Sequence, residues 1–187
     1  MDYFLIPDLQ VNKQLFTNKV KEQCDNWGHF GTGRFKFYSG IADDDTLDYL
    51  DETFKNAGDI VTKVLFNRVK ANNIIGPHVD YGRGCTINIP ICGDFANSSL
   101  DCYEWSEPIS VISPHEDPTE QEESLFYPHS EIQQQINYTV PICFDTRVPH
   151  GVTNQTTEDR FILGITFHDK FQVHNLKEMY EAGELLV

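Results

Sequence analysis

The sequence predicts a mainly β protein with N-terminal helices, on three observations. Past residue 60 the chain becomes a series of short runs rich in β-branched and aromatic residues: IVTKVLFNRVKAN, CTINIPIC, SLDCYEWS, PISVIS, QINYTVPICFD and RFILGITFH. Turn residues separate them, and several strands at a spacing of roughly 8–12 residues form the pattern of a sandwich or barrel. The helical signals lie before that change and again at the C-terminus, so the helices flank the strands rather than alternate with them.

Taken in order, 12–27 (NKQLFTNKVKEQCDNW) places Leu15, Phe16, Val20 and Cys24 at helical spacing. The stretch 28–40 alternates around Phe35 and Phe37 between glycines, a short strand; its GxxGxG reads as an ordinary Gly-rich turn, because no helix pattern follows it. Residues 43–58 carry the strongest helix signals. Asp fills the first turn, where the macrodipole favours it, Leu47, Leu50 and Phe54 share a face, and Gly58 is placed as the C-cap. NLKEMYEAGELL gives a C-terminal helix over about 175–186. One domain over 1–187 is expected, with a helical lead-in at 1–60 and a β core at about 61–170. The segment 104–131, with eight acids and four prolines, is too long for a hairpin loop and reads as a lid or a surface excursion. As a lid it favours a cationic or polar partner such as a peptide.

The totals exclude several functions. A net charge of −15, from 14 Lys and Arg against 29 acids, disfavours partners with phosphate backbones and anionic membranes. No apolar run approaches the ~20 residues of a membrane span. The start, MDYFLIPDLQ, lacks the basic region of a signal peptide. Five scattered cysteines without a CxxC pair suggest reduced thiols and a cytoplasmic location, which leaves the sequons at Asn97, Asn137 and Asn154 fortuitous.

Candidate chemistry starts from His78-Val-Asp80. With 7 His and 29 acids in 187 residues, chance supplies about one His-x-acid match; the chain has three, the others being His115/Asp117 and His129/Glu131. Residues i and i+2 share a face only in an extended segment. His78 and Asp80 lie between two strand patterns, whereas the other pairs sit beside prolines in the acidic segment and read as solvated loop. The second element, 145–168, reads as a hairpin turning near Gln155, which sets His150 directly opposite Arg160. Two His and a carboxylate on one face, with open positions opposite, form the ligand set of non-haem Fe(II) oxygenases. An Arg nearby offers a bidentate fork for the far carboxylate of a dicarboxylic 2-oxo acid.

HVD, a long interval, PHGVTN, and Arg160 ten residues after the second His, followed by FILGITF, resemble the HxD…H…R signature of the 2-oxoglutarate/Fe(II)-dependent oxygenases. The resemblance spans about Val64 to His168. It implies a double-stranded β-helix (a jelly roll of cupin type), with Fe(II) on His78, Asp80 and His150 and the C5 carboxylate of 2-oxoglutarate on Arg160. It also implies hydroxylation, with O2 as co-substrate and 2-oxoglutarate decarboxylated to succinate. Halogenating relatives lack the carboxylate, so Asp80 points to hydroxylation or a related oxidation, here of a peptidyl residue or a small amino-acid-like molecule. Alternation in CTINIPI adds Thr86 and Asn88, and Thr166 shares the parity of Arg160; all three are candidates for contact with 2-oxoglutarate. Asn154 is assigned to the turn. Arg83 and Arg147 flank the predicted ligands and either meet an anionic substrate or, as is commoner, are plain surface arginines, while Tyr81, Tyr103 and Trp105 either wall the pocket or fill the core. Two rivals remain: a cupin-like metal protein without oxygenase activity, which has no need of Arg160, and a metal-free β-sandwich binding module.

Overall fold

The computed structural model describes residues 1–26, 28–30, 37–80, 84–112 and 123–187. In chain order the elements are β1 (Tyr3–Leu5), α1 (Lys13–Gln23), β2 (Gly28–Phe30), β3 (Phe37–Ile41), α2 (Asp44–Thr53), α3 (Ala57–Ile60), β4 (Val61–Val69), β5 (Asn73–Val79), β6 (Cys85–Cys92), β7 (Ser98–Tyr103), β8 (Ile109–Ile112), β9 (Glu123–Phe126), β10 (Ile132–Ile136), β11 (Ile142–Asp145), β12 (His150–Asn154), β13 (Arg160–Phe167) and α4 (Val173–Glu181). Phe35, the His115/Asp117 pair, Tyr81, Arg83 and the middle of segment 104–131 lie outside the described residues, and so does half of the GxxGxG turn. His129 and Glu131 are exposed, as expected of loop.

Local chemistry sets the helix starts. The Asn12 side chain accepts from Leu15 N (3.1 Å) and caps α1, whose Phe16 and Val20 are buried one turn apart. Asp43 caps α2 by accepting from Thr46 N (3.1 Å) and Thr46 Oγ1 (2.7 Å), with Asp44 and Asp45 in the first turn. The expected helix to Gly58 is corrected. It ends at Thr53, and Phe54 turns extended (φ −110°, ψ 131°) to reach the core. Asn56 then adopts the left-handed conformation (φ 56°), and α3, which contains Gly58, follows. Leu47 is 46% exposed, because the inward row of α2 is Thr46 and Leu50, one residue round the helix from the expected face.

Two antiparallel sheets face each other. The larger runs β1-β11-β6-β13-β4-β3-β2 and the smaller β10-β7-β12-β5-β9-β8. This interleaved order is the double-stranded β-helix expected from the sequence resemblance. Strand alternation divides the core. Cys85, Ile87, Ile89 and Ile91 of β6, with Phe161, Leu163, Ile165 and Phe167 of β13, pack against Phe16, Val20, Leu50, Phe54 and Leu176 on the helical side. Each such buried apolar side chain contributes about 1.5–3 kcal/mol. The opposite faces of the same strands look into the space between the sheets, where Leu100, Tyr138, Ile142, Phe144 and Ile162 form a second cluster. All five cysteines are free. Among the described residues no helix is long and apolar enough to cross a membrane.

The expected hairpin of 150–154 with 160–167 is also corrected. β12 pairs with β5 and β7 of the smaller sheet, whereas β13 pairs with β4 and β6 of the larger. The link between them is an arch from one sheet to the other. Asn154 builds it, consistent with its expected turn role. Its buried Nδ2 donates to Val69 O (3.2 Å), Lys70 O (3.0 Å) and Glu158 O (3.0 Å), and its Oδ1 accepts from Thr156 Oγ1 (2.8 Å). Asp159 closes the arch by accepting from Arg68 Nε (2.6 Å) and Ala71 N (2.8 Å).

Candidate metal centre

His150 opens β12, where it lies opposite His78 of β5 on one side and Cys102 of β7 on the other. Asp80 immediately follows β5 and is tied to the β11–β12 turn by its N–H, which donates to Thr146 O (3.0 Å). Thr146 Oγ1 in turn donates to Gly84 O (2.9 Å). Strand pairing thus brings together side chains 70 residues apart in sequence. The ligand atoms of His78, Asp80 and His150 all lie within 4.8 Å of one another. His78 Nε2 is 3.8 Å from Asp80 Oδ1, and the two imidazole centroids are 4.5 Å apart.

The hydrogen bonds orient both rings alike. His78 Nδ1 lies 2.9 Å from Gly76 O, and His150 Nδ1 lies 3.0 Å from Val148 O. A carbonyl can only accept, so these contacts assign the proton of each neutral ring to Nδ1 and the lone pair to Nε2, on the side of Asp80. Backbone partners of this kind fix ligand orientation at metal sites. Phe126 packs on His78 (6.0 Å between centroids) and Phe144 edge-on against His150 (5.4 Å).

A cavity of about 100 Å³ opens between the sheets, lined by all three of these residues and by Thr86, Asn88 and Thr166. The alternation expected for CTINIPI is therefore present, with Thr86 and Asn88 inward and Cys85, Ile87 and Ile89 toward the helices. Thr86 Oγ1 and Thr166 Oγ1 are 3.2 Å apart. Gly164 holds its strand close, since a Cβ there would meet Asn67 Nδ2 at 3.1 Å and Asn88 Oδ1 at 3.4 Å.

Arg160 is fully buried but does not stand opposite His150 and does not line that cavity. Its Nη1 donates to Ser98 Oγ (3.2 Å) and Ser99 O (3.3 Å), its Nη2 donates to the Tyr138 hydroxyl, and the guanidinium lies over the Phe95 and Tyr138 rings. Leu100, Phe144 and Ile162 belong both to this cluster and to the cavity wall. Its Nε has no hydrogen-bond partner, and none of its partners among the described residues is a carboxylate. Ser98, Phe95 and Tyr138 carried no sequence signal of their own, nor did Asn67 and Thr146 on the cavity wall. Ser98 and Asn67 come from paired strands, and Phe95, Tyr138 and Thr146 from the loops that adjoin them.

The flanking residues are also placed. Arg147 is engaged by Asp145, donating from Nε to Oδ1 (2.8 Å) and from Nη2 to Oδ2 (2.8 Å). Burial pushes the Asp145 carboxyl up, but the Arg147 hydrogen bonds outweigh it and hold the pKa below the ordinary carboxylate value. Arg147 is thus already paired with an internal anion. Tyr103 and Trp105 lie off the cavity wall. Burial, followed by the charges of Asp101 and Cys102, pushes the Tyr103 phenol up to about 12, so it stays neutral.

No family model matches the sequence, and no curated protein does. Solved structures do match. An epimerase, SnoN, crystallised with Fe3+, α-ketoglutarate and nogalamycin RO, superposes with a TM-score of 0.56 at 11% identity, over 89% of this chain and 78% of its own. A prolyl hydroxylase from Trichoplax adhaerens in complex with a hypoxia-inducible factor peptide gives 0.52 at 13% identity, over 92% and 86%. A prolyl-4-hydroxylase from Pseudomonas putida gives 0.50 at 8%, over 90% and 93%. At such identities the likeness is one of fold: this chain shares the fold of these three enzymes.

Proposed function

We propose that the chain is a non-haem Fe(II)- and 2-oxoglutarate-dependent oxygenase that hydroxylates a peptidyl residue or a small amino-acid-like substrate. The observation that carries this reading is the convergence of His78, Asp80 and His150 on the wall of a cavity between the sheets. Two imidazoles and a carboxylate suit Fe(II), and no thiolate belongs to the cluster. Three protein ligands on a six-coordinate ion leave room for a bidentate 2-oxo acid and O2.

The donor set fits the co-substrate as well. Arg160 is a buried cation whose partners are neutral and whose Nε is unpartnered. A buried charge without a counter-ion is costly, and the distal carboxylate of 2-oxoglutarate is the anion it lacks. Arg160 lies on the same inward face of β13 as Ile162, Gly164 and Thr166, so a change of rotamer brings the guanidinium toward the cavity. Thr86, Asn88 and Thr166 would donate to the co-substrate along its length, and His78, Asp80 and His150 would hold the ion. Fe(II) and 2-oxoglutarate together supply the oxidation: O2 is consumed, 2-oxoglutarate becomes succinate and CO2, and one oxygen atom enters the substrate. The protein's part is to fix the ligands and keep bulk water from the space between the sheets. The Asp80 carboxylate argues against halogenation; since the fold neighbours include both an epimerase and hydroxylases, product analysis separates hydroxylation from a related oxidation.

Anaerobic visible spectroscopy tests the reading. Fe(II) followed by 2-oxoglutarate is expected to give a weak charge-transfer band that needs both additions. His150→Ala loses the band. Arg160→Ala needs roughly 100-fold more 2-oxoglutarate, the equivalent of one or two lost charge-assisted hydrogen bonds. Bound metal without a band in the wild type would refute the oxygenase and leave a cupin-like metal protein. Absence of metal binding would refute both.

A further inference from the structure

The charge of this protein is distributed unevenly over the two sheets. From Gly84 to Thr146 the sequence has eleven acids and no Lys or Arg, and none of the six strands of the smaller sheet contains either. The helices pack on the other side, α1 on β6, α3 on β4 and α4 on β1 and β11, all strands of the larger sheet. Among the described residues, the strands of the smaller sheet therefore bring no Lys or Arg to its outer face. That face also exposes apolar side chains: Ile74 of β5 (43%), Ile132 of β10 (46%) and Trp105 (61%), just past β7. A large exposed indole among other exposed aliphatic groups is the usual mark of an interaction surface.

Trp105 is placed at the metal end of the sheet. The Tyr103 N–H donates to Pro149 O (2.9 Å), next to His150, and the Tyr127 N–H donates to Pro77 O (2.9 Å), next to His78. Tyr127 is buried, and its ring meets the Trp105 ring edge-on, with centroids 5.5 Å apart and planes at 89°. Exposed Glu104 and Glu107 flank Trp105 in the sequence, and the Glu104 N–H donates to the carbonyl of exposed Glu131 (3.1 Å), which holds that residue on adjoining backbone. Carboxylates around an open aromatic face form a receptor for Lys or Arg, through ion pairing and cation–π contact.

We propose that this face, centred on Trp105, is a docking surface for a cationic polypeptide, which it delivers to the metal end of the sandwich. The apolar groups lie on β5 and β10 and beyond β7, a spread that suits an extended chain better than a small cation. Charge repulsion disfavours a second copy of this acidic face. The delivery step rests on the oxygenase reading; the docking itself does not, and it is measured without turnover.

The probes are two fluorescein-labelled 12-residue peptides, one of alternating Lys and Leu and one of alternating Glu and Leu, followed by anisotropy on metal-free protein. The Lys peptide is expected to bind and the Glu peptide not. Trp105→Ala, and Glu104→Lys combined with Glu107→Lys and Glu131→Lys, each weaken the Lys peptide about tenfold or more. Asp48→Lys combined with Asp51→Lys and Glu52→Lys on α2 removes the same net charge from the helical side and changes affinity less than about twofold. His150→Ala binds like the wild type. Equal binding of both peptides, equal losses in the two charge-reversed proteins, or a dimer that Trp105→Ala dissociates would each overturn the proposal. Retained docking without the charge-transfer band would overturn the oxygenase reading alone.

Discussion

Gly151 follows His150, the second imidazole of the proposed metal site, and stands where β12 is pressed between β5 and β7. A Cβ built there meets Ile75 O at 2.4 Å, Gly76 C at 3.2 Å and Tyr103 Cε2 at 3.1 Å. Ordinary contact begins at 3.4 Å, so Gly151→Ala needs about 1 Å of extra room. The nearest obstacle is backbone, which cannot rotate away as a side chain can. β12 must therefore shift from β5, and His150 shifts with it relative to His78. Overpacking of this kind costs about 1–3 kcal/mol. For a chain of this length that lowers the melting temperature by about 3–10 °C. Displacing one ligand weakens Co(II) or Mn(II) binding by about tenfold or more, the range set by altered metal-site supports. Gly58→Ala is the control. Its Cβ meets nothing within 4 Å, and it lies in α3, far along the chain from the ligands. It is expected to raise stability by about 0.4–1 kcal/mol and leave metal affinity unchanged. Thermal unfolding and isothermal titration with Co(II) read both quantities. A Gly151→Ala protein that melts within 1 °C of the wild type and binds Co(II) equally well would refute the claim that this contact sets the spacing of the two imidazoles.

Asn154→Ala leaves three backbone carbonyls of the arch without their shared donor, and the expected cost is about 2–4 kcal/mol, read from urea midpoints. Tyr138→Phe removes the hydroxyl that accepts from Arg160 and is expected to change 2-oxoglutarate affinity several-fold while leaving Co(II) affinity intact, as read by titration with each. Burial pushes the Asp43 carboxyl up, but Lys19 and Thr46 outweigh it, so the folded pKa lies below the ordinary value. Its contribution is complete above the unfolded value near 3.9 and is lost as pH falls through the lower folded one. Asp43→Asn keeps a capping side chain and drops the charge, so the wild type's advantage in urea midpoint should be present at pH 6 and shrink steadily as pH falls below about 4.

The candidate ligands were legible because each sits at a strand end: His78 and Asp80 close an extended run and His150 opens β12. Thr86 and Asn88 were legible for a simpler reason: β6 is buried on both faces, so its only polar side chains mark the inward one. The 150–168 segment misled because an arch between sheets and a hairpin within a sheet have the same strand–turn–strand pattern. The difference lies in which carbonyls Asn154 reaches, and those of Val69 and Lys70 are more than 80 residues upstream. The helix at 43–58 misled for a related reason. Phe54 fits the helical spacing, but the core draws it inward from just beyond the helix end.

The arch also explains how the site is divided. Were β12 and β13 a hairpin, the His150 and Arg160 side chains would share one face of one sheet, with Cβ atoms about 5 Å apart. Placed in opposite sheets, they contribute to the same interior from both walls. The smaller sheet and the turn after β5 supply the two imidazoles and the carboxylate, and the larger sheet supplies Thr86, Asn88, Thr166 and Arg160. Sheets packed face to face are about 10 Å apart, which leaves space for an ion on one wall and a small dicarboxylate reaching to the other. Among the described residues, the helices pack on the larger sheet and not on the outer face of the smaller one. An extended partner could lie across the backs of the strands that hold the ligands.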